Sequence, residues 1–194
     1  MTAAKTAKFI RVVSIPPVMV TLLFVVLFAY KGEIFNDAAE AIVPIVLLGI
    51  VPVLAYPCQR FFPRFMDEGR DGQRKLAFIF SLVGYSAALV WALLARVGAT
   101  LKLICLSFYF SAVILTILNK FMHIKASAHA CSLTGPLVLL MLLVDWKICI
   151  PALALAGLVA WYSIYLKRHT GKQFVFGASV YLLAILLSWL LLHI

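Results

Sequence analysis

Charge is what this chain lacks most. Only 12% of its residues are Asp, Glu, Lys or Arg, about half the share usual in a soluble domain. With 65% of the residues hydrophobic, so little charge cannot solvate the surface of a water-soluble fold, and the composition points to a lipid bilayer. Acid is scarcer still, with seven Asp and Glu against 17 Lys and Arg. No carboxylate or cysteine stands at ligand spacing beside a paired histidine, so neither a metal nor any other cofactor is expected. The four cysteines, Cys58, Cys105, Cys131 and Cys149, lie in or beside apolar stretches without paired spacing. They read as small core residues rather than as a disulfide framework. No internal repeat or low-complexity segment divides the chain. The whole of 1–194 reads as a single integral membrane domain.

Long apolar runs, by contrast, are abundant. A hydrocarbon core of roughly 30 Å takes about 20 apolar residues per helix, and seven such runs are present. They cover 10–30, 38–56, 76–96, 100–118, 130–146, 148–166 and 174–193. The expected fold is therefore an all-α bundle of about seven membrane-spanning helices. The first run follows a basic start without a small-residue cleavage site, and is expected to remain as the first helix. One long connection, 57–75, alternates aromatics with arginines and reads as an interfacial segment.

The formal charge of +10 would suit nucleic acid, but the basic residues punctuate apolar segments, so no nucleic-acid partner is expected. Seven spans divide them unequally. One side takes Lys5, Lys8, Arg11, Arg60, Arg64, Arg70, Arg74, Lys75, Lys120, Lys125, Lys167, Arg168 and Lys172; the other takes Lys31, Arg96, Lys102 and Lys147. The richer side is expected in the cytoplasm, with the N-terminus.

That side also carries the polar stretches 125-KASAHA-130 and 167-KRHTGKQ-173. On a helix beginning near residue 126, Lys125 and His129 share a face, and Ser127 sits in the first turn. A helix N-terminus with a lysine beside it suits a phosphate. Lysine alone fits a bland alternative, snorkelling toward lipid headgroups. Histidine is a poor headgroup anchor and a good proton-transfer group. A pair of histidines among cations suits phosphate ester cleavage: one imidazole attacks phosphorus, and the other protonates the leaving oxygen. His123 reads as interfacial and His193 as terminal. Arg70 and Arg74 open on the same side and are candidates for contact with a substrate headgroup.

At these residues the sequence resembles the type 2 phosphatidic acid phosphatase superfamily, over roughly residues 100–190. The family motif PSGH corresponds to 126-ASAH-129, which keeps Ser127 and His129. The later motif, SR, five residues, H, three residues, D, corresponds to 162-YSIYLKRHTGKQ-173. Here His169 stands at the histidine, Ser163 at the arginine and Gln173 at the aspartate. The resemblance implies His169 as the nucleophile that becomes phosphorylated, His129 as the proton donor and Ser127 as a phosphate ligand, without metal. The family's first motif is not present; Lys120 and Lys125 stand near where its cations are needed, and Arg168 or Lys167 is the candidate substitute for the missing arginine. The implied protein is a multi-pass lipid phosphate or lipid diphosphate phosphatase acting on a phospholipid or an isoprenoid (di)phosphate. A six-span family core is possible within the seven runs, and a prokaryotic plasma membrane is the expected location. Two alternatives stay open: a non-hydrolytic relative that binds or moves an anionic lipid headgroup, and transfer of the group to an acceptor other than water.

Overall fold

Each of the seven apolar runs forms a helix in the computed structural model, which describes residues 14–166 and 169–193. They are α1 (Pro16–Tyr30), α2 (Ala39–Phe61), α3 (Gly69–Leu94), α4 (Ala99–Phe121), α5 (Ala128–Leu143), α6 (Trp146–Tyr165) and α7 (Gly171–His193). No strand occurs among the described residues. Five of the helices are long and apolar enough to cross a membrane; α1 and α5 are shorter, with 15 and 16 residues. At 1.5 Å per residue these two are about 22 and 24 Å long.

Local chemistry sets several boundaries. Pro16 and Pro17 open α1, where a missing N–H is harmless and the fixed φ suits a helix. In α2 a π-helical stretch, Ile45–Ile50, follows Pro44 and precedes Pro52. Proline leaves a carbonyl one turn earlier without its N–H partner, and the wider i→i+5 pattern eases that loss. The connection 57–75, expected as one long loop, is mostly helical instead. A short helix, Pro63–Asp67, folds back against the start of α3, which begins at Gly69. The buried Gln59 amide holds this turn by donating to Phe65 O at 2.7 Å and Gly69 O at 3.0 Å. Gly72 leaves room for the Phe65 carbonyl, which a Cβ there would strike.

Six helices close a ring in the order α1, α2, α3, α4, α7, α5, each packed on the next, and α6 lies outside against α5. Close approaches fix the directions. Gly177 of α7 lies on Ser127 and Ala130, and Gly135 of α5 lies on the Tyr181 ring, so α5 and α7 run parallel. Ser14 meets His129 at one end of α1, while Tyr30 and Lys31 meet Val144 and Asp145 at the other. Hence α1 is parallel to both. At the centre, Tyr85, Phe108 and Tyr181 stack edge to face, with centroids 5.4 and 5.5 Å apart. The Tyr181 hydroxyl lies 2.9 Å from Ser107 Oγ, which itself donates to Ile104 O.

This arrangement gathers the start of α1, the α2–α3 hairpin, the α4–α5 loop and the start of α7 at one end of the bundle. Among the described residues that end holds the basic Arg60, Arg64, Arg70, Arg74, Lys75, Lys120, Lys125 and Lys172, against Asp67, Glu68 and Asp71. The opposite end is balanced, with Lys31, Arg96, Lys102 and Lys147 against Glu33, Asp37, Glu40 and Asp145.

The central stack should dominate stability. Tyr181→Phe keeps the ring and leaves Ser107 bonded to Ile104 O, so it is expected to cost about 0.6 kcal/mol, the usual scale of a hydrogen bond between membrane helices. Tyr181→Ala empties the ring's site and is expected to cost about 3–5 kcal/mol. Thermal unfolding in detergent, read by circular dichroism, checks the contrast; equal losses would contradict it.

Candidate functional site

Two helix N-termini build the site, and each is closed by its own sequence. Ser127 adopts extended backbone angles at the N-cap of α5, and its Oγ accepts from Ala130 N at 3.2 Å. Ser127 is fully buried. Asn119, on the π-helical last turn of α4, donates to Leu115 O and accepts from Ala126 N at 3.2 Å. It therefore pins the α4–α5 loop just before Ser127. Because the helix starts at Ala128, Lys125 lies in non-helical chain ahead of the cap and does not share a helical face with His129. The expected one-turn pairing of those two residues is corrected on this point. Lys125 is exposed in the loop that leads to the cap.

At α7, Thr170 and Gln173 form a reciprocal cap. Gln173 N donates to Thr170 Oγ1, and Thr170 N donates to Gln173 Oε1, both at 3.3 Å. His169 precedes this cap, with Nδ1 at 3.3 Å from the same Gln173 Oε1. A backbone N–H can only donate, so the bond from Thr170 fixes which amide atom of Gln173 faces this corner. It is the oxygen. A neutral His169 that donates to this oxygen through Nδ1 carries its lone pair on Nε2. The backbone N–H of His169 donates to Ser163 O at 3.4 Å, tying the residue to the end of α6. Ser163 itself is buried and contributes this carbonyl. No cation stands at the position where the resemblance puts an arginine.

The two N-termini meet directly. Ser127 N donates to Gln173 O at 2.9 Å, and Gly177 lets α7 close onto the Ser127 carbonyl and the Ala130 side chain. A Cβ at Gly177 would collide with that carbonyl. The parallel helices α5 and α7 thus present their positive dipole ends side by side, each worth roughly half an elementary charge. His129, half-buried, sits in the first turn of α5, and His169 sits just ahead of the first turn of α7.

A third element arrives that sequence reasoning missed. Ser14, fully buried just before α1, places its Oγ 3.0 Å from His129 Nε2. Nothing local marks it; the contact exists because α1 packs parallel to α5. Thr170 was also missed, although the Thr-x-x-Gln spacing of the capping box is readable in the chain.

The remaining candidates scatter. Lys120 is exposed, with its ammonium 5.8 Å from the Phe121 ring centroid. Lys172, which was not among the sequence candidates, is exposed in the first turn of α7 next to the Thr170–Gln173 cap. Arg168 and Lys167 lie outside the described residues. Arg70 and Arg74 occupy the first turns of α3, which packs against α2 and α4 rather than against the histidine-bearing helices. Arg74 pairs with Asp71 at 3.6 Å, both exposed. Among the described residues no group of three His, Cys, Asp or Glu side chains gathers as a metal site.

The Gly177 approach is the point of greatest sensitivity. Gly177→Ala is expected to cost about 1–3 kcal/mol through overpacking and to shift the imidazole resonances of His129 and His169. Gly157→Ala, whose new methyl meets nothing within 4 Å, should leave both unchanged. Thermal melting and histidine-selective NMR check the pair; a silent Gly177→Ala would contradict the contact.

This chain matches no family model, no curated protein and no solved structure.

Proposed function

We propose that this protein is a metal-independent lipid phosphate or lipid diphosphate phosphatase that works through a phosphohistidine, on a fold that crosses the membrane seven times. One observation carries the reading: the N-termini of α5 and α7, each bearing a histidine, are joined by the Ser127-to-Gln173 hydrogen bond. Converging helix dipoles with Lys125 and Lys172 nearby favour a phosphate at this end of the bundle.

In this mechanism His169 Nε2 attacks phosphorus and the bond to the lipid oxygen breaks. The electron pair leaves with that oxygen, which takes a proton from His129. Water then attacks the phosphohistidine with His129 as base, releasing phosphate and restoring both rings. Gln173 orients His169 through Nδ1, and Ser14 holds His129 through Nε2. Lys125 and Arg168 are the proposed phosphate-side cations, Ser127 caps the start of α5, and Ser163 supports His169 through its carbonyl. The excess of basic residues at the histidine end supports a cytoplasmic placement. Short α5 is compatible with seven crossings because it is enclosed by α1, α4, α6 and α7 and need not match the lipid thickness itself.

A second reading draws on Gln173. A neutral amide cannot stabilise an imidazolium as a carboxylate does, and its oxygen is already shared with Thr170 N. That favours a protein that binds an anionic headgroup without cleaving it.

Phosphate release from a panel of lipid phosphates, in detergent without added metal, separates the two. Turnover is expected from the wild type, and His169→Asn should abolish both turnover and any acid-labile phosphoenzyme. His129→Asn should slow alkyl phosphates by about 10²–10⁴ yet act far better on an aryl phosphate, whose leaving oxygen needs no proton. Gln173→Asp should preserve or raise the rate. No phosphate release from the wild type, with both histidine variants binding lipid normally, would overturn the enzyme reading.

Topology is tested independently by reporter fusions. Fusions after Lys75 and Lys125 are expected on the cytoplasmic side, and one after His193 outside. Finding the first pair outside would overturn both the orientation and the placement of the site.

A further inference from the structure

The α2–α3 hairpin is built around a buried polar side chain. Gln59, 8% exposed, spends both amide hydrogens on backbone carbonyls of the hairpin, Phe65 O and Gly69 O. With Gly72 admitting the Phe65 carbonyl, the turn is locked on the end of α3. What it displays is the reverse of its interior. Phe61 is 66% exposed and Met66 55%, and Phe62 is exposed beside them. The Arg60 guanidinium lies over the Phe61 ring, 4.7 Å from its centroid. Arg64 is exposed on the short helix Pro63–Asp67.

Charge is divided within this hairpin. In its C-terminal half Arg74 pairs with Asp71 and Lys75 with Glu68 at 2.8 Å, which leaves Arg70 as the one cation there without a carboxylate partner among the described residues. Arg60 and Arg64 have no carboxylate partner within 4 Å among the described residues and stand next to the exposed aromatics. A guanidinium stacked on an aromatic face still presents its edge donors to an anion. Exposed apolar side chains beside cations at the end of a spanning helix suit the boundary between lipid headgroups and acyl chains. Phosphate above and acyl chain below is the chemistry of a phospholipid. The surplus of positive charge selects an anionic one.

We propose that the Gln59-locked hairpin recognises anionic phospholipid in the leaflet around it: Arg60 and Arg64 take the headgroup phosphate while Phe61, Phe62 and Met66 enter the acyl layer. This moves the main headgroup contact from Arg74, which is paired with Asp71, to the arginines beside the exposed rings, and it is independent of the phosphatase reading. Because the hairpin opens at the same end as His129 and His169, it places anionic lipid in the leaflet that also borders that end.

The test uses the full chain in mixed micelles of phosphatidylglycerol and phosphatidylcholine at equal ratio, with co-purifying lipid counted by native mass spectrometry. The wild type is expected to enrich phosphatidylglycerol, with each arginine contributing about fivefold at the binding position. Arg60→Gln with Arg64→Gln should remove the preference. Lys31→Gln with Lys147→Gln, an equal loss of charge at the opposite end, should retain it. Gln59→Ala keeps every cation but unlocks the hairpin, and should reduce the preference without lowering the melting temperature of the bundle by more than a few degrees. Equal enrichment in the wild type and the Arg60/Arg64 variant would overturn the proposal, as would a wild type with no preference. Full enrichment in Gln59→Ala would overturn the role of the locked geometry.

Discussion

The hydrogen bond from Ser127 N to Gln173 O is the constraint on which the site depends. It forms only where two parallel helices approach with a glycine between them, and Gly177 is that glycine. Parallel neighbours are uncommon in a chain of short connections, where successive helices run antiparallel. Here the parallel pair arises because α6, the helix between α5 and α7, is pushed outside the ring. The exclusion of α6 lets α5 and α7 touch. Their N-termini then fall at one level, and each brings a histidine.

Electrostatics follow from the same geometry. Two aligned helix starts and a surplus of lysine and arginine make one end of the bundle attractive to an anion, while the other end balances its charges. The fold also holds the histidines by different devices. His169 is oriented by an amide oxygen whose identity is settled by the Thr170 N–H. His129 is held by a serine hydroxyl from a helix distant in sequence. In the mechanism proposed above, these two environments separate the roles of two otherwise equivalent imidazoles.

Much of the fold was legible in the chain, and the site less so. Seven apolar runs became seven helices, since runs of that length have few alternatives in lipid. The start of α3 was misplaced because charge in the 57–75 stretch masks a helical turn, which Gln59 and Gly72 stabilise through tertiary contacts. Histidines at a common end followed from counting spans. The Lys125–His129 pairing failed because Ser127 starts the helix later than expected, and no Glu or Gln at the third helical position marks that start. Thr170 with Gln173 carries such a mark, yet the apolar run alone put the start of α7 at 174 rather than at Gly171. Ser14 could not be read from sequence, because its role depends on how α1 packs against α5. The resemblance that named the two histidines covers neither Ser14 nor α1.

The central claim is that the starts of α5 and α7 hold one anion between them. An experimental structure of the full chain with tungstate, a dense phosphate mimic, tests it most directly. Strong density is expected between the α5 N-terminus and His169, within hydrogen-bonding distance of His129 or His169, and lost in His169→Ala. Tungstate bound elsewhere on the bundle, with this corner empty at saturating concentration, would contradict the account.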